Sequence, residues 1–250
     1  MTPSFRRVRL GGLDIAVADD QPTFWDRVEA GGWEPGTLAA LTPLLRPGVT
    51  FLDLGAWVGP LSLLAAARGA HVVALEADPA AQDQFSRNLA ANPDLASRIE
   101  LIPAAISPIP GAVRLGARRK PGDSMSSILL AGGPSGWSAP AMTPAVLAER
   151  LGGPHALVVK IDIEGAEYAL LPHLRPLLAA PDLSVLVSFH PVILGQSGVE
   201  DVPARLEAAL APFAGWQAGR VGDEGAKPRG TVPEALLREP AHETWLLGRP

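Results

Sequence analysis

The chain has 250 residues, of which 47% are hydrophobic, with no cysteine and a formal net charge of −5. The length and composition predict one large domain with a full core, the missing cysteine excludes disulfides and thiolate chemistry, and the mild acidity argues against nucleic acid as a partner. No uninterrupted apolar run reaches the roughly 18 residues of a membrane span, and no secretory signal is recognised. We therefore expect a cytoplasmic protein without a membrane partner, and the composition indicates no particular oligomeric state.

The first part of the chain is predicted as an N-terminal extension (residues 1–46) to a domain that spans residues 47–250. We expect its helices, with the segment Ser124–Trp137, to act as a lid, because loops at the ligand edge of a sheet are free to close. The elements predicted in the extension are strands at 5–10 and 13–17 joined at Gly11-Gly12, and two helices within 22–46 split by Gly31-Gly32.

From residue 49 onward, apolar strands alternate with helices. The predicted strands are Val49–Leu54, His71–Glu76, Ile99–Ile106, a short one at Val113–Leu115, Ala156–Ile161 and Leu183–Phe189. The predicted helices are Leu61–Arg68, Pro79–Asn92, Pro144–Leu151, Ala166–Leu178 with interruptions at Pro172 and Pro176, and Val202–Phe213. Residues 132–140 are predicted as a loop, and 216–221 with 243–247 as a closing antiparallel pair.

This alternation predicts an α/β fold, a Rossmann-like, doubly wound and mostly parallel sheet with an antiparallel closing strand. Right-handed crossovers bring the carboxyl ends of the parallel strands to one edge, where ligands bind in such sheets. The residues predicted at that edge are Asp53–Gly59, Glu76, Pro103–Ala105, Asp162–Glu164 and His190.

A glycine turn follows the first parallel strand. Gly55 permits a tight turn where a Cβ would clash, and Gly59 lets the next helix pack close to the sheet. Glu76 ends the second strand, where a carboxylate can accept hydrogen bonds from ribose hydroxyls. Asp53 either orients the turn or meets an ammonium group of the ligand. These residues together predict a nucleoside-type ligand.

Trp57 stands where a dinucleotide-binding turn has its second glycine, and its bulk obstructs a pyrophosphate. S-Adenosylmethionine carries a ribose and no phosphate, so it fits what remains, and an NAD(P)-dependent oxidoreductase is the alternative. The predicted cofactor-binding residues are Asp53, Gly55, Ala56, Trp57, Gly59, Glu76, Ala104 and Ala105.

A second polar cluster follows the strand at Ala156–Ile161. Asp162, Glu164, Glu167 and Lys160 lie within eight positions of one another in an otherwise apolar stretch. Acids near a helix start also favour the helix dipole, and Lys160 then pairs with one of them. Their place at the ligand edge favours chemistry for Asp162 and Glu164, and His190 lies at the next strand end.

If the ligand donates a methyl group to a hydroxyl, that hydroxyl has to lose a proton. Two routes stay open for the same three residues, Asp162, Glu164 and His190. One is general-base catalysis by one of them. The other is a site for Mg²⁺ or Mn²⁺ that lowers the pKa of the hydroxyl.

With both clusters in view, the chain resembles the FkbM-type methyltransferases over about residues 51–190. The resemblance implies a class I fold, S-adenosylmethionine as methyl donor, and O-methylation of a small metabolite, natural product or sugar. The matching residues are Asp53, Gly55 and Ala56 in the turn, Glu76, Asn88 and Asn92, the serines 124, 126 and 127, and Lys160–Gly165 with Glu167.

Three positions depart from the family pattern, namely Trp57, Ala77 and Ser188. They leave the predicted fold intact and bear on the substrate. Trp57 also leaves open the alternative that the protein has this fold but is a non-catalytic interaction protein. Aromatic side chains predicted at the acceptor pocket are Trp25, Trp33, Trp57 and Trp137.

Overall fold

In a computed structural model of the protein, residues 4–132 and 136–250 are described. The extension begins with an antiparallel hairpin, as predicted. Two short helices follow it, and each starts at a proline, a residue that suits the first helical turn because its missing N–H has no partner there. These elements are β1 (Phe5–Leu10), β2 (Leu13–Ala18), α1 (Pro22–Glu29) and α2 (Pro35–Leu41).

The first half of the main sheet follows the predicted alternation. Asp78 caps the helix after the second strand by accepting a hydrogen bond from the amide of Ala80, which is the expected role of aspartate before a helix. The elements are β3 (Val49–Leu54), α3 (Pro60–Ala67), β4 (His71–Leu75), α4 (Pro79–Ala90), α5 (Pro93–Ala96) and β5 (Ile99–Ile102).

The predicted strand Ile99–Ile106 is divided into two strands of different sheets. Pro103 has no N–H for the sheet, so the chain leaves the main sheet after Ile102. The next residues join a separate four-stranded sheet in the order β6-β9-β7-β8. Its strands are β6 (Ala105–Ile106), β7 (Gly111–Ala117), β8 (Ser126–Ser127) and β9 (Trp137–Met142).

The loop predicted at 132–140 was wrong at its end. Trp137–Met142 pairs with β7 despite Pro140, because antiparallel pairing satisfies the neighbouring backbone groups. The remainder of that segment includes residues 133–135, which lie outside the described part of the chain.

The C-terminal half returns to the main sheet. The helix predicted at Ala166–Leu178 is broken into one short helix and two 3-10 turns, at Leu171–His173 and Arg175–Ala179, each containing one of the interrupting prolines. The remaining elements are α6 (Pro144–Leu151), β10 (Ala156–Ile161), α7 (Glu167–Leu170), β11 (Asp182–Ser188), α8 (Pro191–Gln196), α9 (Val202–Leu210), β12 (Gln217–Gly222), β13 (Gly225–Thr231), α10 (Glu234–Leu237) and β14 (Thr244–Gly248).

The main sheet has eight strands in the order β13-β12-β14-β11-β10-β3-β4-β5. The strands from β11 to β5 in this order are parallel to one another, whereas β14, β12 and β13 each pair antiparallel with their neighbours. The predicted fold class and the closing antiparallel strand are confirmed. After β5 the chain crosses to β10 on the other side of β3, so β3 and β10 flank the switch point at which such sheets bind ligands.

Alternate residues of the central strands face two different cores. Leu52 and Val159 belong to one hydrophobic cluster, whereas Phe51 and Val158 belong to the other, as expected when both faces of a sheet are covered. The second cluster includes Trp25 and other residues of the extension. Trp25, predicted at the acceptor pocket, is therefore a core residue, 1% exposed.

Two asparagines of α4 fasten the extension to the sheet. Asn88 accepts a hydrogen bond from the amide of Ala18 and donates to the carbonyl of Val58, and Asn92 bonds to both backbone groups of Ala16. The division at residue 46 stays a prediction. In the described ranges, no helix has both the length and the apolar character needed to cross a membrane.

Candidate functional site

The turn after β3 uses its own backbone amides for internal hydrogen bonds. The amides of Gly55 and Ala56 both donate to the carbonyl of Leu75 at 3.0 Å, and that of Gly59 donates to Ala56 at 2.9 Å. The amide of Trp57 donates to Oε2 of Glu76 at 2.7 Å. A phosphate-binding turn needs amides that point at the ligand, and these four point into the protein.

Gly55 and Gly59 are required for different close approaches. Both have a positive φ, 86° and 82°, which favours glycine. A Cβ on Gly55 would lie 1.9 Å from the carbonyl oxygen of Asp162, so this glycine lets the turn meet the end of β10. A Cβ on Gly59 would lie 2.1 Å from the ring of Phe85. Gly59 therefore packs α3 against α4, and it lines neither cleft described below.

Glu76 is buried at the end of β4, and its two oxygens organise the turn. Oε2 accepts from Trp57, and Oε1 accepts from the amide of Asp78 at 2.7 Å. Burial raises the pKa of Glu76 to about 7, against the opposing effect of these hydrogen bonds. An ionised carboxylate has about four lone-pair sites, so two remain for a ligand.

An apolar cleft of about 620 Å³ opens beside Glu76. Its walls come from the ends of β4 and β10, from the residues after β5, and from the four-stranded sheet. Among the described residues that line it are four carboxylates and no basic side chain, so its charge is negative. The lining includes Leu75, Glu76, Ala77, Ala104, Ala105, Ile106, Leu115, Asp123, Ser126, Ile128, Asp162 and Glu164.

One strap, residues 118–128, crosses the apolar cleft and is anchored by Asp78. Oδ2 of Asp78 accepts from the amide of Gly122 at 2.7 Å and from the hydroxyl of Ser126 at 2.9 Å. The carbonyl of Gly122 accepts in turn from the indole of Trp57 and from the amide side chain of Gln21. The strap thus connects the glycine turn with the extension.

A polar cleft of about 860 Å³ adjoins the apolar one. The two share Gly55, Trp57, Ser124, Asp162 and Glu164, so one ligand can occupy both. The extension supplies one wall of this cleft, which includes Trp33. Trp137, also predicted at the acceptor pocket, lines neither cleft, and its indole donates to the carbonyl of Ala77. The other lining residues are Phe24, Arg27, Glu34, Asp53, Ala56, Pro60, Leu61, Lys160 and His190.

Asp53 and Lys160 form the buried floor of the polar cleft. Asp53 accepts a hydrogen bond from the hydroxyl of Ser62 at 2.6 Å, and burial raises its pKa to about 6. The ammonium of Lys160 lies 2.7 Å from Oδ2 of Asp162 and 3.2 Å from the hydroxyl of Ser188. Burial acts to lower the pKa of Lys160, but the surrounding carboxylates outweigh it and raise this pKa.

The structure brings Asp162, Glu164 and His190 together as a triad in the polar cleft. Nε2 of His190 lies 3.4 Å from Oδ1 of Asp162 and 3.6 Å from Oε2 of Glu164. That Glu164 oxygen is buried without a hydrogen-bond partner among the described residues. Glu164 has φ 54°, a left-handed conformation that is uncommon outside glycine and asparagine. Such strain at a ligand edge is typical of functional residues.

The charges in this triad are strongly coupled. Burial raises the pKa of Glu164 to about 7, partly offset by the charge of His190. Burial acts to lower the pKa of His190, but its hydrogen bond to Glu167 and the charges of Asp162, Glu167 and Glu164 raise this pKa to about 9. The raised pKa of His190 therefore favours a protonated ring beside Glu164 at neutral pH.

The same three residues were predicted as metal ligands. One donor atom from each lies within 4.8 Å of the other two, which is close enough for a single cation. Divalent Mg²⁺ and Mn²⁺ accept carboxylate oxygens, and neutral imidazole also binds Mn²⁺. The donor set fits such an ion, and its presence stays a prediction.

Several residues of the site were not predicted from the sequence. Glu34 and Arg27 reach the polar cleft from the extension, and no local motif marks them. Asp78 anchors the strap, and the sequence signal that points to it is Asp-Pro before a helix, which indicates only a cap.

Comparison with known proteins gives fold-level similarity alone. No protein-family model and no curated relative matches the chain. Similar solved structures include a TehB-like SAM-dependent methyltransferase from Corynebacterium glutamicum, with TM-score 0.47, 12% identity and coverage of 93% of this chain and 97% of that one. A SAM-dependent methyltransferase from Agrobacterium tumefaciens has TM-score 0.46, 12% identity and coverage of 100% and 71%. Precorrin-6y C5,15-methyltransferase from Geobacter metallireducens has TM-score 0.43, 11% identity and coverage of 86% and 87%.

Such low scores and identities carry no argument about activity. What the protein does has to be inferred from the chemistry of its two clefts.

Proposed function

We propose that this protein is an S-adenosylmethionine-dependent O-methyltransferase of the FkbM type, acting on a hydroxyl of a small metabolite, natural product or sugar. The observation that carries the proposal is the apolar cleft, which is lined by four carboxylates and, in the described part of the chain, by no basic side chain. A phosphate would be repelled there, whereas the sulfonium cation of the donor is attracted.

The turn supports the same ligand. Because the amides of Gly55, Ala56, Trp57 and Gly59 are already bonded inside the protein, they are not available to a pyrophosphate. A nucleoside without phosphates needs none of them. This argues for S-adenosylmethionine over a nicotinamide dinucleotide.

In this proposal the donor spans the two clefts. The adenosine half occupies the apolar cleft, with its ribose hydroxyls donating to the free lone pairs of Glu76 and its base beside Ala104 and Ala105. The amino-acid half extends into the polar cleft, where Asp53 offers a negative charge to the ammonium. The methyl group then faces the triad of Asp162, Glu164 and His190.

The chemistry is an in-line displacement. A bond forms between the acceptor oxygen and the methyl carbon while the sulfur–methyl bond breaks, and sulfur keeps the bonding pair as the neutral thioether of S-adenosylhomocysteine. The hydroxyl proton passes to the triad. Glu164 is suited to receive it, because a general base works best with a pKa near the operating pH and its own is raised to about 7.

A divalent cation is the second candidate for this step. Asp162, Glu164 and His190 would hold it, and it would supply a lowered pKa for the acceptor hydroxyl. Activity that falls at least about tenfold in EDTA and returns with Mg²⁺ or Mn²⁺ supports the cation. Activity that EDTA leaves unchanged contradicts it and favours the general base.

The proposal is tested by calorimetric titration with S-adenosylhomocysteine. We expect binding in the micromolar range with NAD⁺ as a non-binding control. No heat at millimolar S-adenosylhomocysteine would overturn the proposal. Binding of NAD⁺ in its place would favour an oxidoreductase.

A further inference from the structure

Glu167 is the most completely buried carboxylate beside the triad, with 0% of its surface exposed. Its Oε1 accepts from the backbone amide of His190 at 2.7 Å and lies 3.0 Å from Nδ1 of the same residue. Its Oε2 accepts from the amide of Gly165 at 2.8 Å. Glu167 lines neither cleft, so it acts on a ligand only through another residue.

These contacts fix which nitrogen of His190 is free. A carboxylate beside Nδ1 holds the proton on that nitrogen, as in the carboxylate–histidine pairs of metal sites and catalytic triads. Nε2 then faces the gap between Asp162 and Glu164, at 3.4 and 3.6 Å, without a hydrogen bond to either. When the ring is neutral, its lone pair lies on Nε2.

We propose that Glu167 is a positioning residue that holds His190 in the Nδ1–H form with Nε2 directed at the reacting hydroxyl. The inference rests on the proposed methyl transfer and extends it. Glu167 neither touches the substrate nor takes the proton. It fixes the orientation of the ring, so that Nε2 faces the gap between Asp162 and Glu164.

A purely structural role gives a different expectation. Glu167 also joins the turn at Gly165 to the start of α8 through two backbone amides, and a loss of these bonds alone would loosen both clefts together. The Glu167→Gln variant separates the two roles. Its amide oxygen can keep one backbone bond, but the neutral side chain no longer holds the proton of His190 on Nδ1.

The experiment compares the wild type, Glu167→Gln and a control, Glu239→Gln, which changes a half-buried carboxylate that is paired with Arg220 and lines neither cleft. We expect Glu167→Gln to lower kcat about 10- to 100-fold and to leave KM and the affinity for S-adenosylhomocysteine within about twofold. The control should behave as the wild type. An unchanged kcat, or an equal loss of ligand affinity, would overturn the inference.

A spectroscopic readout keeps the inference testable if the variant is poorly folded or if the acceptor is not found. Long-range ¹H–¹⁵N NMR of the wild type at a pH where His190 is neutral reports its tautomer. We expect the Nδ1–H form, and the Nε2–H form would contradict the role of Glu167. This result stands whether or not S-adenosylhomocysteine binds, so failure of this inference can be distinguished from failure of the proposed function.

Discussion

The two clefts hold their carboxylates in opposite ways. Each oxygen of Glu76 in the apolar cleft accepts a hydrogen bond from one backbone amide at 2.7 Å, whereas Glu164 keeps a buried oxygen without a partner in the described ranges. A carboxylate held by two amides is fixed in place, whereas a buried carboxylate oxygen without a partner is costly until a ligand arrives. The difference indicates that Glu76 is built to bind a ligand and that Glu164, where the two clefts meet, is built to react.

Both clefts depend on the contact between the glycine turn and the end of β10, so breaking it gives the largest effect. In Gly55→Ala, the new Cβ would lie 1.9 Å from the carbonyl of Asp162. We expect a loss of about 4 kcal/mol in unfolding free energy from the positive φ and the overlap. S-Adenosylhomocysteine should no longer bind measurably by calorimetry.

Gly48→Ala is a matched control, because that glycine also has a positive φ but open space around its Cβ position. We expect it to lose about 1 kcal/mol and to bind the ligand normally. Normal binding by Gly55→Ala would show that the two clefts do not depend on this contact.

The carboxylate assigned to the reaction is tested by Glu164→Gln, at the place where the two clefts meet. The substitution preserves shape but removes the group whose pKa is near 7, so we expect kcat to fall about 10²- to 10⁴-fold. The affinity for S-adenosylhomocysteine should change less than about threefold. A variant that loses ligand affinity and kcat equally would contradict the division of roles between Glu76, which binds, and Glu164, which reacts.

The apolar cleft alone is tested by Glu76→Ala. We expect the affinity for S-adenosylhomocysteine to fall about 10- to 100-fold, because a charge-assisted hydrogen bond contributes about 1.5–3 kcal/mol. The variant should also lose about 2–4 kcal/mol of stability, because the amides of Trp57 and Asp78 are left unpaired. From the sequence, ribose binding was the only role expected of Glu76.

An unchanged affinity in Glu76→Ala, measured on folded protein, would remove Glu76 from the ribose site. Glu76→Gln serves as the control, since its amide can keep one of the two backbone bonds. We expect its stability and affinity to lie between those of the alanine variant and the wild type.

The sequence predicts that residues of the two clefts lie at one edge of the sheet, but it does not predict the orientation of their side chains. The strands Val49–Leu54 and Ala156–Ile161 agree residue for residue with the prediction, because apolar runs bounded by turn residues mark buried strands. Parallel strands then bring Asp53 and Asp162 to one edge whatever the details of the loops.

The details depend on backbone geometry that residue types do not announce. Glu164 adopts a left-handed φ of 54°, a conformation that sequence reasoning assigns to glycine or asparagine. Glu34 and Arg27 reach the polar cleft only because the extension folds back onto the sheet. Contacts between distant segments decide these positions, and a single sequence carries no local signal for them.

The polar cleft should also make stability depend on pH. The pKa of His190 is raised from 6.5 to about 9, so the protonated ring stabilises the fold fully below pH 6.5, and this contribution is lost as the pH rises through 9. We expect the unfolding free energy to fall by about 2–3 kcal/mol between pH 6.5 and 10. In His190→Asn most of this decline should vanish in urea titrations at each pH, and a decline of the same size would contradict the assignment.

The smallest expected effect concerns Trp57, which lines both clefts. Its indole donates to the carbonyl of Gly122 at 3.1 Å, and its ring packs against that of Phe24 with 4.5 Å between the ring centroids. Trp57→Phe keeps an aromatic ring and loses the hydrogen bond to the strap, so we expect a loss of about 1 kcal/mol in stability. The affinity for S-adenosylhomocysteine should fall about threefold, because the strap covers the apolar cleft.

NAD⁺ provides a sharper readout at the same position, with the smaller Trp57→Ala variant. If the bulk of Trp57 alone excluded a pyrophosphate, a smaller side chain at this position would admit the dinucleotide. The amides of Gly55 and Ala56 remain bonded to Leu75 in any such variant, and the carboxylates of the cleft remain. We therefore expect Trp57→Ala not to bind NAD⁺ at millimolar concentration. Binding would show that the indole selects a ligand without phosphates, rather than the internally bonded amides and the negative charge of the cleft.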